Sequence, residues 1–274
     1  MSTFVEPTSD TERVKTAIAD SVILRVESVV KRFLQGNATI NALQGASLSV
    51  EKGQFVAIMG PSGCGKSTLM HVVAGLTRPD SGRIVIGDQD LSSLSDRRLT
   101  KLRHQQIGLI FQAFNLIPTL SAEANIALPM LAAGRSKEAE HRLEILIDRV
   151  GLNDRRNHLA DALSGGEQQR VAIARALIQD PAIVLADEPT GSLDSNTGQS
   201  ICRLLFELSQ ERRRTMIVVT HEPNVAAWAD RVVVMQDGRV LTELDSSTRF
   251  APQELAARYH EATQSPAPFA SAPI

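Results

Sequence analysis

Three short segments carry residue types and spacings suited to phosphate chemistry. Gly60 to Thr68 reads GPSGCGKST, which fits G-x-x-x-x-G-K-[ST], with a β-rich run (QFVAIM) before it and a helical run (TLMHVVAGL) after it. Glycines at 60, 63 and 65 let the backbone curl so that successive N–H groups point inward, and the following helix adds its positive end. Pro61, Ser62 and Cys64 fill the variable positions. Lys66 reaches the β- and γ-phosphates of a nucleotide such as ATP, and the Ser67 hydroxyl, followed by Thr68, is placed to ligate Mg²⁺. Downstream, Ile183 to Glu188 (IVLADE) is an apolar strand ending in two carboxylates. Neighbours on a strand face opposite ways, so Asp187 is expected to hold Mg²⁺ and Glu188 to orient and polarise the attacking water. The third segment, LSGGEQQR from Leu163 to Arg170, places Ser164, Gly165 and Gly166 ahead of an apolar-faced helix. That is a second anion-binding helix end, and one nucleotide does not need two on the same chain.

Such residues need a scaffold that brings strand ends and helix starts to one edge. Val22 to Val30, Gln54 to Met59, Ala182 to Ala186, Thr215 to Thr220 and Val232 to Met235 read as strands, several of them aliphatic runs without alternation, as in strands covered on both faces. Lys66 to Leu76 and Glu167 to Gln179 read as helices between them, the second stopped by Asp180-Pro181. This alternation predicts a parallel α/β sheet. Asp96 to His104, Ala122 to Ala133 and Ser136 to Val150 are all helical in pattern, so the middle of the chain reads as a helical insertion, with Gly151 as the C-cap of the last. The first twenty residues or so and the closing ATQSPAPFASAPI read as tails.

Composition sets the outer bounds. With 274 residues, 43% hydrophobic and 22% charged, the chain can bury a sizeable core and is neither fibrous nor wholly disordered. Lys plus Arg is 29 against 31 Asp plus Glu, so no global basic field exists to hold nucleic acid. Two isolated cysteines suit neither a disulfide framework nor a zinc site and point to a reducing compartment. No apolar run approaches a spanning length, and the N-terminus lacks the apolar core of a signal peptide.

In their order along the chain, GPSGCGKST, the Gln112 of IFQAFN, LSGGEQQR, LADEPTGSLD and VVTHE closely resemble the ABC-transporter ATPase family, over roughly Val22 to Glu243. The resemblance implies a P-loop NTPase (RecA-like) α/β core with a mostly parallel sheet, an antiparallel β subdomain and an inserted α-helical subdomain at about 113–162. The ATPase domain would then cover 22–245, between a polar tail at 1–21 and an Ala/Pro-rich extension at 246–274. It further implies that Phe33 stacks on adenine, and that Gln112 links the Mg²⁺ and water site to the helical part. Asp194 would cross to a partner subunit, and His221 would contact the γ-phosphate. Two copies, or this chain and a homologous ATPase, would stack head to tail, each ATP lying between Lys66 of one and Ser164 and Gly166 of the other.

Without a spanning segment, the closing motion would be delivered to a separate membrane permease from the cytoplasmic face. The stretch FNLIPTLSAEANIALP is most similar to the lipoprotein-releasing and macrolide-exporting subgroup, which also holds the cell-division ATPase and antimicrobial-peptide exporters. One departure stands out: that subgroup carries Glu immediately before the Asn, whereas here Ala124 precedes Asn125 and the acid is Glu123. A soluble ABC ATPase acting on DNA or ribosomes would call for two cassettes, a coiled-coil insertion or zinc ligands. A P-loop kinase or GTPase would lack LSGGEQQR. Lipoprotein, lipid, peptide and drug all remain open as cargo.

Overall fold

Aliphatic runs flanked on both sides by helical sequence have one stable arrangement, a sheet buried between two layers, and the chain takes it. The computed structural model describes residues 21–36, 38–245 and 249–264. The first part of the N-terminal tail, residues 246–248 and the final ten residues lie outside the described residues. The chain opens with two long antiparallel strands, β1 (Val22–Gln35) and β2 (Ala38–Glu51), and then enters the core through β3 (Phe55–Met59) and α1 (Lys66–Val73). Strands β4 (Ser81–Ile86) and β5 (Gln89–Asp90) return beside β1, giving an antiparallel sheet of order β2-β1-β4-β5. Helix α2 (Asp96–Gln106) leads to β6 (Ile107–Ile110), after which come α3 (Ala122–Ala132), α4 (Ser136–Arg149) and α5 (Gly165–Leu177). The core is completed by β7 (Ile183–Asp187), α6 (Ser195–Glu211), β8 (Thr215–Thr220), the short α7 (Pro223–Ala226) and the hairpin β9 (Arg231–Gln236) and β10 (Arg239–Asp245). The second sheet runs β10-β9-β3-β8-β7-β6, parallel throughout except where β10 pairs with β9.

Every residue of β3 and β8 is buried, which is why these strands read as unbroken apolar runs. Alternate side chains divide between two cores: Phe55, Ala57 and Met59 join the layer containing α3 to α7, while Val56 and Ile58 join the layer containing α1 and the antiparallel sheet. The helical insertion is tied to the same core through Ile126, Met130, Leu146 and Ile147, all packed in the cluster that holds Ile173 and Leu177 of α5. Its entry loop is anchored by Asn125, fully buried, whose Oδ1 accepts from Ile117 N (2.8 Å) and whose Nδ2 donates to the carbonyls of Ile117, Leu120 and Ser121. The neighbouring Glu123 accepts from Arg156 Nε (2.7 Å), so this acid joins the start of α3 to the segment ahead of α5.

The sequence reading needs extending at its far end. Helix α8 (Pro252–Gln264) runs into the stretch read from sequence as a tail, with its remainder outside the described residues. Leu255 is fully buried and Phe250 nearly so, while the Arg249 guanidinium lies 3.6 Å from the centre of the Phe206 ring and 4.9 Å from that of Trp228. Leu255→Ala is therefore expected to lower the unfolding free energy by about 2–5 kcal/mol. A denaturant titration showing no change in midpoint would mean that α8 is not part of the core.

Candidate functional site

The phosphate loop stands where three chain segments meet. β3 delivers it at the centre of the parallel sheet, and α1 carries it away. Gly60 lies so close to the carbonyl of Met235 that no Cβ would fit, and Gly65, at φ 105°, lies as close to the carbonyl of Ala42. The Asp237-Gly238 turn of the β9–β10 hairpin completes the junction: Gly238 N donates to Cys64 O (2.8 Å), and Gln44 N donates to Gly238 O (2.9 Å). The antiparallel sheet is thus fastened to the loop. Its β1–β2 ribbon carries Phe33, 41% exposed, paired across the strands with Ile40 and with Lys31 Nζ 5.4 Å from its ring centre.

Within the loop, Lys66 is only 5% exposed, and its Nζ donates to Gly60 O and Pro61 O at 2.9 Å each. These bonds hold the ammonium over the curled backbone, where a phosphate oxygen would compete for the same donors. Cys64 is buried; burial pushes its thiol up, against the opposing pull of Lys66. Ser62 and Gly63 are exposed at the tip, and Thr68 lies inside α1.

The two carboxylates face different partners, but Glu188 lies one residue past the end of β7, so the turn and not strand alternation aims it. Asp187 Oδ1 accepts from Ser67 Oγ (3.1 Å), and burial raises the Asp187 carboxyl above the ordinary range, with the Ser67 bond opposing. Two hard oxygen donors on adjacent elements, one a half-buried carboxylate in need of a counter-charge, suit Mg²⁺, which keeps most of its sites for phosphate and water. Among the described residues no cluster of three or more His, Cys, Asp or Glu could hold a metal ion. Glu188 turns away from the strand at φ 43°, and its Oε1 lies 3.0 Å from His221 Nδ1. A carboxylate accepts, so Nδ1 carries the proton and Nε2 remains for another partner.

Gln112 comes to the same edge from β6: its side-chain amide lies against the Gly191 backbone, where a Cβ would stand 2.8 Å from Nε2, and Ser192 Oγ donates to the main-chain carbonyl of Gln112 (3.3 Å). The loop beyond it is held by Arg175 of α5, which donates to the carbonyls of Phe114 (2.8 Å) and Asn115. Sequence reasoning missed Arg175 and named Asn125 only for its place after Ala124; a polar residue inside an apolar helical window was the available signal for each.

The LSGGEQQR segment is organised separately. Ser164 and Glu167 form a reciprocal capping box, with Glu167 Oε2 accepting from Ser164 N (2.8 Å) and Oγ (2.9 Å), and Arg155 Nε donating to Oε1 (2.9 Å). The Ser164 N–H, aided by its hydroxyl and Arg155, holds the Glu167 carboxyl below the usual range. With the box satisfying Ser164 and Glu167, the N–H groups of Gly165 and Gly166 point out of the helix end. No hydrogen bond among the described residues joins this helix end to the phosphate loop. Asp194 has a local task, since its Oδ1 accepts from Asn196 N and Thr197 N, 3.1 Å each, and so caps α6.

Comparison with known proteins places this geometry. The model of a family described as ABC transporter matches residues 43–191. The lipoprotein-releasing system ATP-binding protein LolD of Cytophaga hutchinsonii is 44% identical over 220 residues, 80% of this chain and 99% of that one. The macrolide export ATP-binding/permease protein MacB of Vibrio parahaemolyticus is 44% identical over 223 residues, 81% of this chain but only 34% of that longer protein. Among solved structures, the dimeric post-hydrolysis state of the cassette MJ0796 of Methanocaldococcus jannaschii, bound to ADP and Pi, superposes with a TM-score of 0.73 at 41% identity, covering 81% of this chain and 98% of that one.

The buried charge of Asp187 has a measurable consequence. Because burial raises its folded-state pKa, the folded chain holds that proton more tightly than the unfolded chain. The stabilisation is complete below the unfolded value and is lost as pH rises through the folded one. At neutral pH the charge is a net cost to folding. Asp187→Asn keeps Oδ1 for Ser67 and removes the charge, so it is expected to raise the melting temperature of the nucleotide- and metal-free protein by a few degrees at neutral pH, the gain vanishing in acid. A lower melting temperature at neutral pH would contradict the burial account.

Proposed function

This chain belongs to the ABC transporter family of ATP-binding proteins, and we propose that it is the ATP-hydrolysing motor of a bacterial exporter, acting as a head-to-tail dimer on a separate membrane permease. The observation that supports this reading best is the presence on one chain of two helix ends suited to an anion, with no hydrogen bond joining them among the described residues: α1 at Lys66, and α5 behind Ser164. Stacking two copies head to tail lets each ATP use one end from each chain. The names of the relatives favour lipoprotein release or macrolide export.

On this reading the ATPase unit spans 22–245 with the helical part 113–162 inserted, and the remaining segments are extensions. Lys66 and the loop N–H groups, from Gly60 to Thr68, bind the phosphates, and Phe33 stacks on the base. Ser67 and Asp187 would hold Mg²⁺, which would supply charge neutralisation at the phosphates. Glu188, oriented by His221 Nδ1–H, aligns and polarises the attacking water, and the free Nε2 of His221 faces the γ-phosphate. Gln112 joins this site to the helical part, while Ser164, Gly165 and Gly166 close on the partner's γ-phosphate with Asp194 beside the same interface.

ATP carries charge that bridges the two surfaces, so binding closes the dimer, and hydrolysis with phosphate release reopens it. A cleft of about 380 Å³ between α2 and α5, lined by Leu76, Arg103, His104, Phe111, Asn115 and Arg175, suits a short cytosolic helix of the permease. No helix among the described residues is long and apolar enough to cross a membrane. The likeness to ATP-binding subunits of transporters supports a place at the cytoplasmic face, as a peripheral subunit.

Glu188→Gln is expected to lower turnover by about 10²- to 10⁴-fold and to leave a stable dimer with ATP on a sizing column. A variant that stays monomeric with ATP or hydrolyses at the parent rate would remove the assigned role. Lys66→Ala should abolish ATP binding or turnover in the same assays.

A further inference from the structure

Glu188 is held in a left-handed backbone conformation, φ 43°, which a residue with a side chain keeps only when its surroundings enforce it. Two backbone bonds contribute: Glu188 N donates to Val219 O (2.9 Å), and Gly191 N donates to Glu188 O (3.0 Å), closing the turn Glu188-Pro189-Thr190-Gly191. The third restraint comes from outside the turn. Gln169, on α5 and 0% exposed, donates from Nε2 to the carbonyl of Pro189 at 2.7 Å. Its Oε1 is buried without a hydrogen-bond partner among the described residues. A buried amide with half its capacity unused is costly for folding alone, since an apolar side chain of the same length would fill the space without an orphaned atom. The donated bond is what the amide adds.

We propose that Gln169 is a positioning residue for Glu188, fixing the hydrolytic turn to the helix that begins with Ser164. The inference rests on the head-to-tail reading above. On that reading Ser164 serves the ATP of the partner, whereas Glu188 serves the ATP bound to its own chain. Gln169 lies little more than one helical turn beyond Ser164, so a displacement of α5 on engaging the partner's ATP is passed through one 2.7 Å bond to the carboxylate that acts on the other ATP. Arg175, further along α5, holds the carbonyls of Phe114 and Asn115 in the Gln112 loop. The same helix therefore touches both loops that flank the water position. Gln169 acts through Glu188 and makes no contact with nucleotide.

The test uses the full chain with Gln169→Met, which keeps length and volume but neither donates nor leaves an orphaned oxygen, and with Gln169→Asn, whose amide is too short to reach Pro189. Each is measured for melting temperature, for kcat and KM with Mg-ATP, and for ATP-dependent dimer formation in the Glu188→Gln background. The expected result is a fall in kcat of roughly tenfold to hundredfold with KM within about twofold, and dimer formation and melting temperature close to the parent. Unchanged kcat in either folded variant overturns the proposal. So does a joint loss of kcat and dimer formation, which would mark Gln169 as support for the Ser164 helix end alone. Failure of the Glu188→Gln parent itself to dimerise with ATP would instead count against the head-to-tail reading.

Discussion

The arrangement depends on how closely the backbone can pack around the phosphate loop. Gly60 abuts the carbonyl of Met235, Gly65 abuts the carbonyl of Ala42, and Gly238 donates to Cys64 O, so three separate stretches of main chain meet with no room for a side chain between them. That junction fixes the direction of the loop N–H groups and clamps Lys66 above them. It also sets the antiparallel sheet, with Phe33 on its ribbon, at a defined height over the loop. Placement within about an ångström is what turns a set of donors into a phosphate site.

A second regularity is that many of the polar side chains of the site already have partners among the described residues. Lys66 holds carbonyls, Ser67 holds Asp187, His221 holds Glu188, Ser164 holds Glu167, and Asp194 caps α6. On the proposed reading, nucleotide would exchange with these bonds as well as meet groups left free, such as His221 Nε2 and the N–H groups of Gly165 and Gly166. Exchange of this kind costs little net free energy per bond and makes the closed state responsive to the presence of a γ-phosphate.

The segments that meet at the site were legible in the sequence because a phosphate-type loop needs fixed residue types at fixed spacing, as in GPSGCGKST, whereas the side chain of Glu188, beyond the end of β7, is aimed by its φ of 43°. The buried parallel strands were legible as aliphatic runs. Less visible were elements whose residues are half exposed or whose signal lay in a turn. The β1–β2 ribbon extends to Gln35 through residues that are half or fully exposed, and the β9–β10 hairpin is marked by Asp237-Gly238. Helix α6, spanning Ser195–Glu211, was missed although Asp194 caps it and Ile201, Leu204, Leu205 and Leu208 recur on one face. Helix α8 carries Leu255 as its one fully buried side chain, so it has almost no apolar period to read. Gln169 was opaque for a different reason: its role is set by a carbonyl 20 residues away, which no local pattern announces.

The central claim is that each ATP is held by residues of two chains. It is tested most directly by mixing Ser164→Arg chains with Lys66→Ala chains and measuring hydrolysis by purified mixed dimers. In such a dimer one composite site loses both contributions, and the other retains an intact Lys66 facing an intact Ser164. The account predicts hydrolysis by the mixed dimers well above that of either variant alone. Mixed dimers as inactive as both parents would contradict the shared site.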